Sequence, residues 1–66
     1  MCEFKLRVYL NDGGEMKLIN REAITVKFEG DGVSIFSDDG STLKVKDAVI
    51  SEVNAERQIV ILSRRT

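Results

Sequence analysis

Apolar and polar residues alternate along most of this chain, which is the period of a β-strand with one buried face. The alternation is clearest at the start, where the apolar members are Cys2, Phe4, Leu6, Val8 and Leu10. Short clusters of Gly, Asn and Asp separate this segment from similar ones, and these residues tolerate the positive φ of tight turns. The pattern therefore predicts consecutive short strands joined by turns.

Seven segments of this kind follow one another along the chain. They are Cys2–Leu10, Glu15–Ile19, Ile24–Glu29, Val33–Ser37, Thr42–Lys46, Val49–Val53 and Gln58–Ser63. No segment keeps a helical period, and Asp47 and Ala48 could start one helical turn at most. Short strands separated by turn residues are typical of a meander that closes into a barrel or sandwich. We expect an all-β fold: one small barrel domain over residues 1–66, with six or seven short antiparallel strands.

The last predicted strand is apolar on both faces, because it contains the run Ile59-Val60-Ile61-Leu62. Strands that are covered on both sides show such continuous apolar runs. Two interpretations fit the run equally well. It lies at a subunit interface or barrel seam, or it is covered by its own chain.

A chain of 66 residues has room for one small core. A domain of about this size buries only roughly 60% of the surface that its unfolded chain exposes, so disulfides, a metal or a partner subunit usually add stability. The single cysteine excludes an internal disulfide. A bound metal or a homo-oligomer is therefore the expected supplement.

Positive and negative residues nearly balance, with ten Lys and Arg against eleven Asp and Glu. A nucleic-acid binder usually presents a net basic surface. An RNA platform in this chain would combine Tyr9 and Phe36 with the basic strand residues, which are Lys5, Arg7, Lys17, Lys27, Lys44 and Lys46. Acidic residues interleave with all of these. A solvated barrel exterior is the preferred interpretation, and it argues against a nucleic-acid partner.

The sequence also predicts where the protein resides. No apolar run approaches the roughly 20 residues of a membrane span. The start of the chain, Met1–Lys5, lacks the pattern of a signal peptide. One unpaired thiol suits a reducing compartment. We expect a soluble cytoplasmic protein with no membrane partner.

Candidate catalytic groups are scarce. Histidine is absent, so neither a Ser-His nor a Cys-His nucleophile pair can form within one chain. Asp38-Asp39-Gly40 could offer oxygens to a hard cation, but calcium loops need more ligands at defined spacing, and a hairpin turn is preferred. We expect a binding protein rather than an enzyme, with no catalytic residue.

Cys2 has the most distinctive chemistry of the chain. If Met1 is removed, the α-amine and thiol of Cys2 can close a five-membered N,S ring on a metal; otherwise a deprotonated amide nitrogen can replace the amine. Two chains related by a two-fold axis would supply N₂S₂, and four such ligands in a plane suit Ni(II) or Cu(II). Met16 could add a thioether, although we expect it in the core.

The chain resembles the CooT family of small nickel-binding proteins from bacteria and archaea. The resemblance rests on Met1-Cys2 leading into a first strand with Lys5 and Val8-Tyr9-Leu10, on Val49-Ile50-Ser51-Glu52-Val53 before a turn, and on the apolar last strand. It implies an SH3-like barrel and a homodimer that binds one Ni(II) between its subunits, with Cys2 as the ligand. It also implies a metallochaperone or nickel store/sensor, with a nickel enzyme such as carbon monoxide dehydrogenase as the candidate client.

Two functions of other classes stay open at this stage. A small-barrel RNA-binding module would use the basic strand faces, and its affinity would fall steeply with salt without depending on Cys2. A plain protein-interaction module would use an edge strand or the apolar last strand, and would bind neither metal nor RNA.

Overall fold

The computed structural model describes residues 5–64, which form six strands. The strands are β1 (Leu6–Asp12), β2 (Glu15–Glu29), β3 (Gly32–Ser37), β4 (Thr42–Lys46), β5 (Ala48–Asn54) and β6 (Ile59–Arg64). They make one sheet in the order β4-β3-β2-β1-β6-β5. The sheet curls into a half-barrel, so the predicted small all-β barrel is confirmed. This part of the chain contains no helix that could cross a membrane.

Strand β2 is a single strand of 15 residues, whereas the sequence predicted two strands joined by a connection at residues 20–23. Its register against β1 shifts on both sides of Val8, and its register against β3 shifts between Ala23 and Thr25. Bulges of this kind bend a strand and increase its twist. β2 can therefore pair with β1 through its first half and with β3 through its second half.

Strands β1 and β6, the first and last along the chain, lie side by side and run parallel. All other neighbouring pairs are antiparallel. The sequence led us to expect antiparallel pairing throughout, because consecutive hairpins give antiparallel neighbours. The exception arises because β5 and β6 form a hairpin that docks as a unit against the free side of β1.

The half-barrel shape follows from a very short connection. β4 and β5 lie at opposite edges of the sheet, yet only Asp47 joins them. The sheet must therefore curl until these two edges meet. Asp47 has a φ of 55°, a left-handed conformation that Asp tolerates better than most residues, and its N–H donates to the Asp31 carbonyl at 2.8 Å. Ala48 then begins β5 directly, without the helical turn that the sequence allowed.

The core lies on the concave face of the sheet. Within residues 5–64 its buried apolar members are Val8, Leu10, Ala23, Val33, Ile35, Ala48, Val60 and Leu62. Three of the six strands, β1, β3 and β6, supply the larger of these side chains at every second position, which is the alternation expected of a half-buried sheet. Fully burying a Val, Leu or Ile side chain contributes roughly 1.5–3 kcal/mol. Residues 5–64 bury only six such side chains, so this core is small.

Gly32 allows β3 and β4 to approach each other closely, because a Cβ atom there would collide with the carbonyl oxygen of Val45. We predict that Gly32→Ala lowers the free energy of unfolding by about 2–3 kcal/mol, because a backbone atom cannot move aside as a flexible side chain can. Urea unfolding at fixed protein concentration measures the change. Gly13→Ala is the control: Gly13 has a φ of 65° but open space around it, so only the backbone cost of about 1 kcal/mol is expected. Equal losses of unfolding free energy in the two variants would show that the Cβ atom at position 32 meets no such collision.

Candidate metal centre

The predicted ligand Cys2 lies outside residues 5–64, the part of the chain that the structure describes. β1 begins at Leu6, four residues after Cys2. Four residues of extended chain span about 14 Å at most. The Cα atom of Cys2 must therefore lie within that distance of the Cα atom of Leu6.

The start of β1 is held by strands on both sides. Leu6 pairs with Ala23 of β2. On the other side, the backbone N–H of Arg7 donates to the Gln58 carbonyl at 3.0 Å. The guanidinium of Arg7 also donates to the carbonyl of Arg57 at 3.3 Å. The chain that leads back to Cys2 thus departs from a fixed point of the barrel.

Polar contacts between β2 and β3 support the same end of the barrel. The amide of Asn20 donates to the Ser37 hydroxyl at 2.6 Å, and its carbonyl oxygen accepts from the backbone N–H of Glu22 at 2.8 Å. The Glu22 carbonyl accepts from the N–H of Asp38 at 2.9 Å. The carboxylate of Asp38 lies 3.3 Å from the Lys5 ammonium. Both charged groups are partly exposed, so the ion pair orients Lys5 more than it stabilises the fold.

The Asp38-Asp39-Gly40 segment is a turn, as the sequence predicted. The carboxylate of Asp39 accepts from the backbone N–H of Ser41 at 2.9 Å and from its hydroxyl at 2.7 Å. These hydrogen bonds lower the pKa of Asp39 below its ordinary value. Across residues 5–64, no three His, Cys, Asp or Glu side chains are grouped so that they could hold a metal ion.

Met16 does not occupy the core position that the sequence predicted. Its side chain is 51% exposed, and it pairs with Asn11 near the tip of the β1–β2 hairpin. That tip projects beyond the core, because every residue from 12 to 18 is exposed. Met16 also lies about 17 Å from Leu6 along β1, given a rise of roughly 3.4 Å per residue. The structure therefore gives no support to Met16 as a ligand beside Cys2.

The basic residues do not form one platform. The register places Lys27 and Lys44 on either side of Ser34, on the convex face of β2, β3 and β4. Glu29 lies among them: its carboxylate accepts from the Ser34 hydroxyl at 2.7 Å and is 3.6 Å from the Lys27 ammonium. Lys46 lies on the same convex face, where it pairs with Gly32. The remaining candidates are spread over the start of β1, its convex face and the projecting hairpin, in the order Lys5, Arg7 and Lys17. Tyr9 and Phe36 lie on different strands of different hairpins.

One shallow cavity of about 240 Å³ lies where β2 approaches β5. Its lining residues are Phe28, Val49 and Ile50. These hydrocarbon side chains offer no acid, base or nucleophile, so the cavity can contribute apolar contact only.

Comparison with known proteins adds a likeness in fold. No protein-family model matches the sequence, and neither does any curated protein. Among solved structures, the chain is similar to one described as "putative CooT from Carboxydothermus hydrogenoformans", with a TM-score of 0.81 and 13% sequence identity. The match covers 94% of this chain and 98% of that one. The chain has a CooT-like fold. The fold implied by the sequence resemblance is thereby confirmed over nearly the whole length of both chains.

Two serine hydroxyls control the pKa values of two carboxyl groups in this CooT-like barrel. The pKa of Glu29 is lowered from 4.5 chiefly by the hydrogen bond from Ser34, with Lys27 and Lys44 adding to it. We predict that Ser34→Ala raises the pKa of Glu29 toward 4.5, whereas Ser41→Ala raises only the pKa of Asp39 toward 3.8. NMR titration of the side-chain carboxyl carbons measures both.

The sign of the effect on stability follows from linkage. A carboxyl group whose pKa is lowered by folding stabilises the native state above its ordinary pKa, and this contribution is lost as the pH falls through the lowered value. Ser34→Ala should therefore reduce stability at neutral pH but not below the lowered pKa of Glu29. An unchanged Glu29 pKa in Ser34→Ala would contradict the assigned cause.

Proposed function

We propose that this chain is a nickel-binding protein, that two copies hold one Ni(II) between them through Cys2, and that it serves as a metallochaperone or nickel store/sensor rather than as an enzyme. The carrying observation is the position of Cys2 four residues before a firmly anchored β1 in a CooT-like fold. The sequence resemblance and the likeness in fold are separate lines of support, because the latter holds at only 13% identity.

The chemistry of Cys2 fits nickel. Its thiolate and an adjacent nitrogen can close one five-membered chelate ring, which supplies two ligands per chain. Two chains then supply N₂S₂, and a planar set of this kind suits Ni(II), whereas Zn(II) prefers a tetrahedral arrangement. By the general affinity order Cu(II) would bind the same ligands more tightly. Selection of nickel would therefore depend on geometry and on metal supply.

The anchoring of β1 constrains the proposed dimer. Each Cys2 lies within about 14 Å of the Leu6 of its own chain. If both thiolates bind the same ion, the two Leu6 residues can be no more than roughly 35 Å apart, counting both chain spans and the reach from each Cys2 Cα to the ion. Any dimer that fulfils the proposal must therefore keep the starts of the two β1 strands within that distance of each other.

A nickel enzyme would be the recipient of the metal. The CooT resemblance points to carbon monoxide dehydrogenase as such a client, and we include this client in the proposal. Delivery requires that the metal be released, and thiolate ligands permit release because protonation competes with the metal.

The alternative of an RNA-binding module rests on the convex face of β2, β3 and β4, where Lys27, Lys44 and Phe36 lie together. Glu29 reduces the positive charge of this face through its ion pair with Lys27. RNA affinity that falls steeply with salt and persists in Cys2→Ala would favour the alternative.

We predict that reduced protein takes up about one Ni(II) per two chains, and that Cys2→Ala weakens binding by at least roughly 100-fold, because losing a ligand costs more than losing a supporting contact. Absorption spectroscopy should show charge-transfer and d–d bands of a planar thiolate site. Binding should weaken as the pH falls, since each thiol must lose its proton to bind.

Met16→Leu is the matched control for Cys2→Ala. It removes the one sulfur within residues 5–64, at a position that is exposed and distant from Leu6, so the nickel spectrum should not change. Nickel binding that survives in Cys2→Ala, or that is lost in Met16→Leu, would contradict the proposed ligand set.

A further inference from the structure

The convex face of β2, β1 and β6 carries an apolar stripe where a solvated sheet face would be polar. The stripe consists of Leu18, Tyr9 and Ile61 in one row across the three strands, with Met16 and Ile59 in the rows beside it. Val8, Leu10, Val60 and Leu62 alternate with these residues and face the core. Met16 and Leu18 are 51% and 43% exposed, and the other three are half-buried.

Strand β6 shows most clearly that this face lacks a cover. Val60 and Leu62 are buried on the concave side. Ile59 and Ile61 point to the convex side and remain partly exposed. A continuous apolar run in a strand is typical of burial on both faces. The apolar run thus predicts a cover on the convex side that residues 5–64 do not supply.

A second copy of the chain fits the size of this face. Together with its polar flank on β5, which pairs with β6, the stripe extends over four strands. At a spacing of about 4.8 Å and a length of roughly 20 Å, four strands give a projected area of about 400 Å². A specific interface needs about 1,000 Å² in total, or about 500 Å² of accessible surface per copy. The accessible surface of a ridged face exceeds its projection, so the face reaches this size. It is a small part of the 4609 Å² surface of the chain.

The charges of this face also permit self-association. The register places Arg7 and Glu52 beside the apolar row. The exposed residues Arg21 and Glu22 lie opposite Arg7 on β2, so cations and anions balance. Two copies can therefore meet there without a net repulsion. The convex face of β2, β3 and β4 differs, because Lys27 and Lys44 outnumber Glu29 on it, and two copies would repel each other.

The two edge strands are poor alternatives. β4 is only five residues long and bears lysines, and β5 is interrupted by a register shift between Ile50 and Glu52. Short length, lysines and bulges are features that prevent edge-to-edge pairing.

We propose that a second copy of this chain covers the apolar stripe, with Tyr9 at the centre of a two-fold interface and the β1–β2 hairpins lying along the partner. The inference deepens the proposed function, because it rests on the dimer and specifies its surface. It agrees with the constraint on Cys2: Tyr9 is three residues, or about 10 Å, from Leu6, so an axis near Tyr9 brings both β1 starts within the required range.

Tyr9 offers a test that needs no mutation, because it is the sole tyrosine and the chain has no tryptophan. In metal-free, reduced protein, the acrylamide quenching constant of tyrosine fluorescence should fall roughly twofold or more as the protein concentration passes the dimer dissociation constant, since an interface core excludes solvent. Sedimentation equilibrium on the same samples, with and without Ni(II), gives the oligomeric state.

A pair of variants then identifies the surface. Leu18→Glu changes a stripe residue, and Leu43→Glu changes a residue on β4 of similar exposure, at 43% and 40%. Both side chains are exposed in the single chain, so both variants should fold, which circular dichroism checks. Leu18→Glu should weaken the dimer roughly 100-fold or more, because two unpaired carboxylates would be buried in each dimer; Leu43→Glu should not.

The outcomes separate this proposal from the nickel proposal. A wild-type dimer that persists in Leu18→Glu, or that leaves Tyr9 equally quenched at all concentrations, would overturn the stripe and leave the nickel site intact. A dimer that Leu18→Glu dissociates but that binds no nickel would support the stripe and overturn the nickel site. A monomer at every concentration, with and without Ni(II), would overturn both the stripe and the shared ion.

Discussion

The parallel pairing of β1 with β6 places both ends of the described chain at the centre of the sheet. Val8 and Leu10 meet Val60 and Leu62 there, and these four side chains form the middle of the core. The same pair carries β2 on one side and β5 on the other. A backbone hydrogen bond from Arg7 to Gln58, the residue before β6, fixes the start of β1. The point from which the chain leads back to Cys2 therefore depends on this pairing as well.

The polar groups around that end serve the fold. Asn20 joins β2 to β3 through Ser37, and Asp39 closes its turn through Ser41. The chemistry that we propose instead uses a single side chain, and a single chelate ring is too little for a firmly held metal. The same incompleteness appears in the apolar stripe. In both proposals a second copy of the chain completes the feature, and both depend on β1.

Much of this fold can be predicted from the sequence, because alternation reports the strands directly. The run from Ile59 to Leu62 predicted a strand with two apolar faces, and β6 is such a strand. Long-range pairing could not be predicted: nothing local shows that β6 would lie parallel to β1. Residues 20–23 were predicted to be a connection because the bulges of β2 disturb the alternation there. Met16 was predicted to be a core residue because alternation does not reveal that the β1–β2 hairpin projects beyond the core. Cys2 was identified by its chemistry and its position in the sequence. It lies outside residues 5–64, and these residues contain no cluster of three His, Cys, Asp or Glu side chains that could hold a metal instead.

Native mass spectrometry of reduced, nickel-loaded protein tests the central claim most directly, because it counts chains, metal ions and displaced protons in one species. The account predicts a species of two chains and one Ni(II), lighter than the simple sum by at least the two thiol protons that binding displaces, and its absence from Cys2→Ala. A species of one chain with one Ni(II), or a nickel-bound species that persists in Cys2→Ala, would contradict a shared site at Cys2.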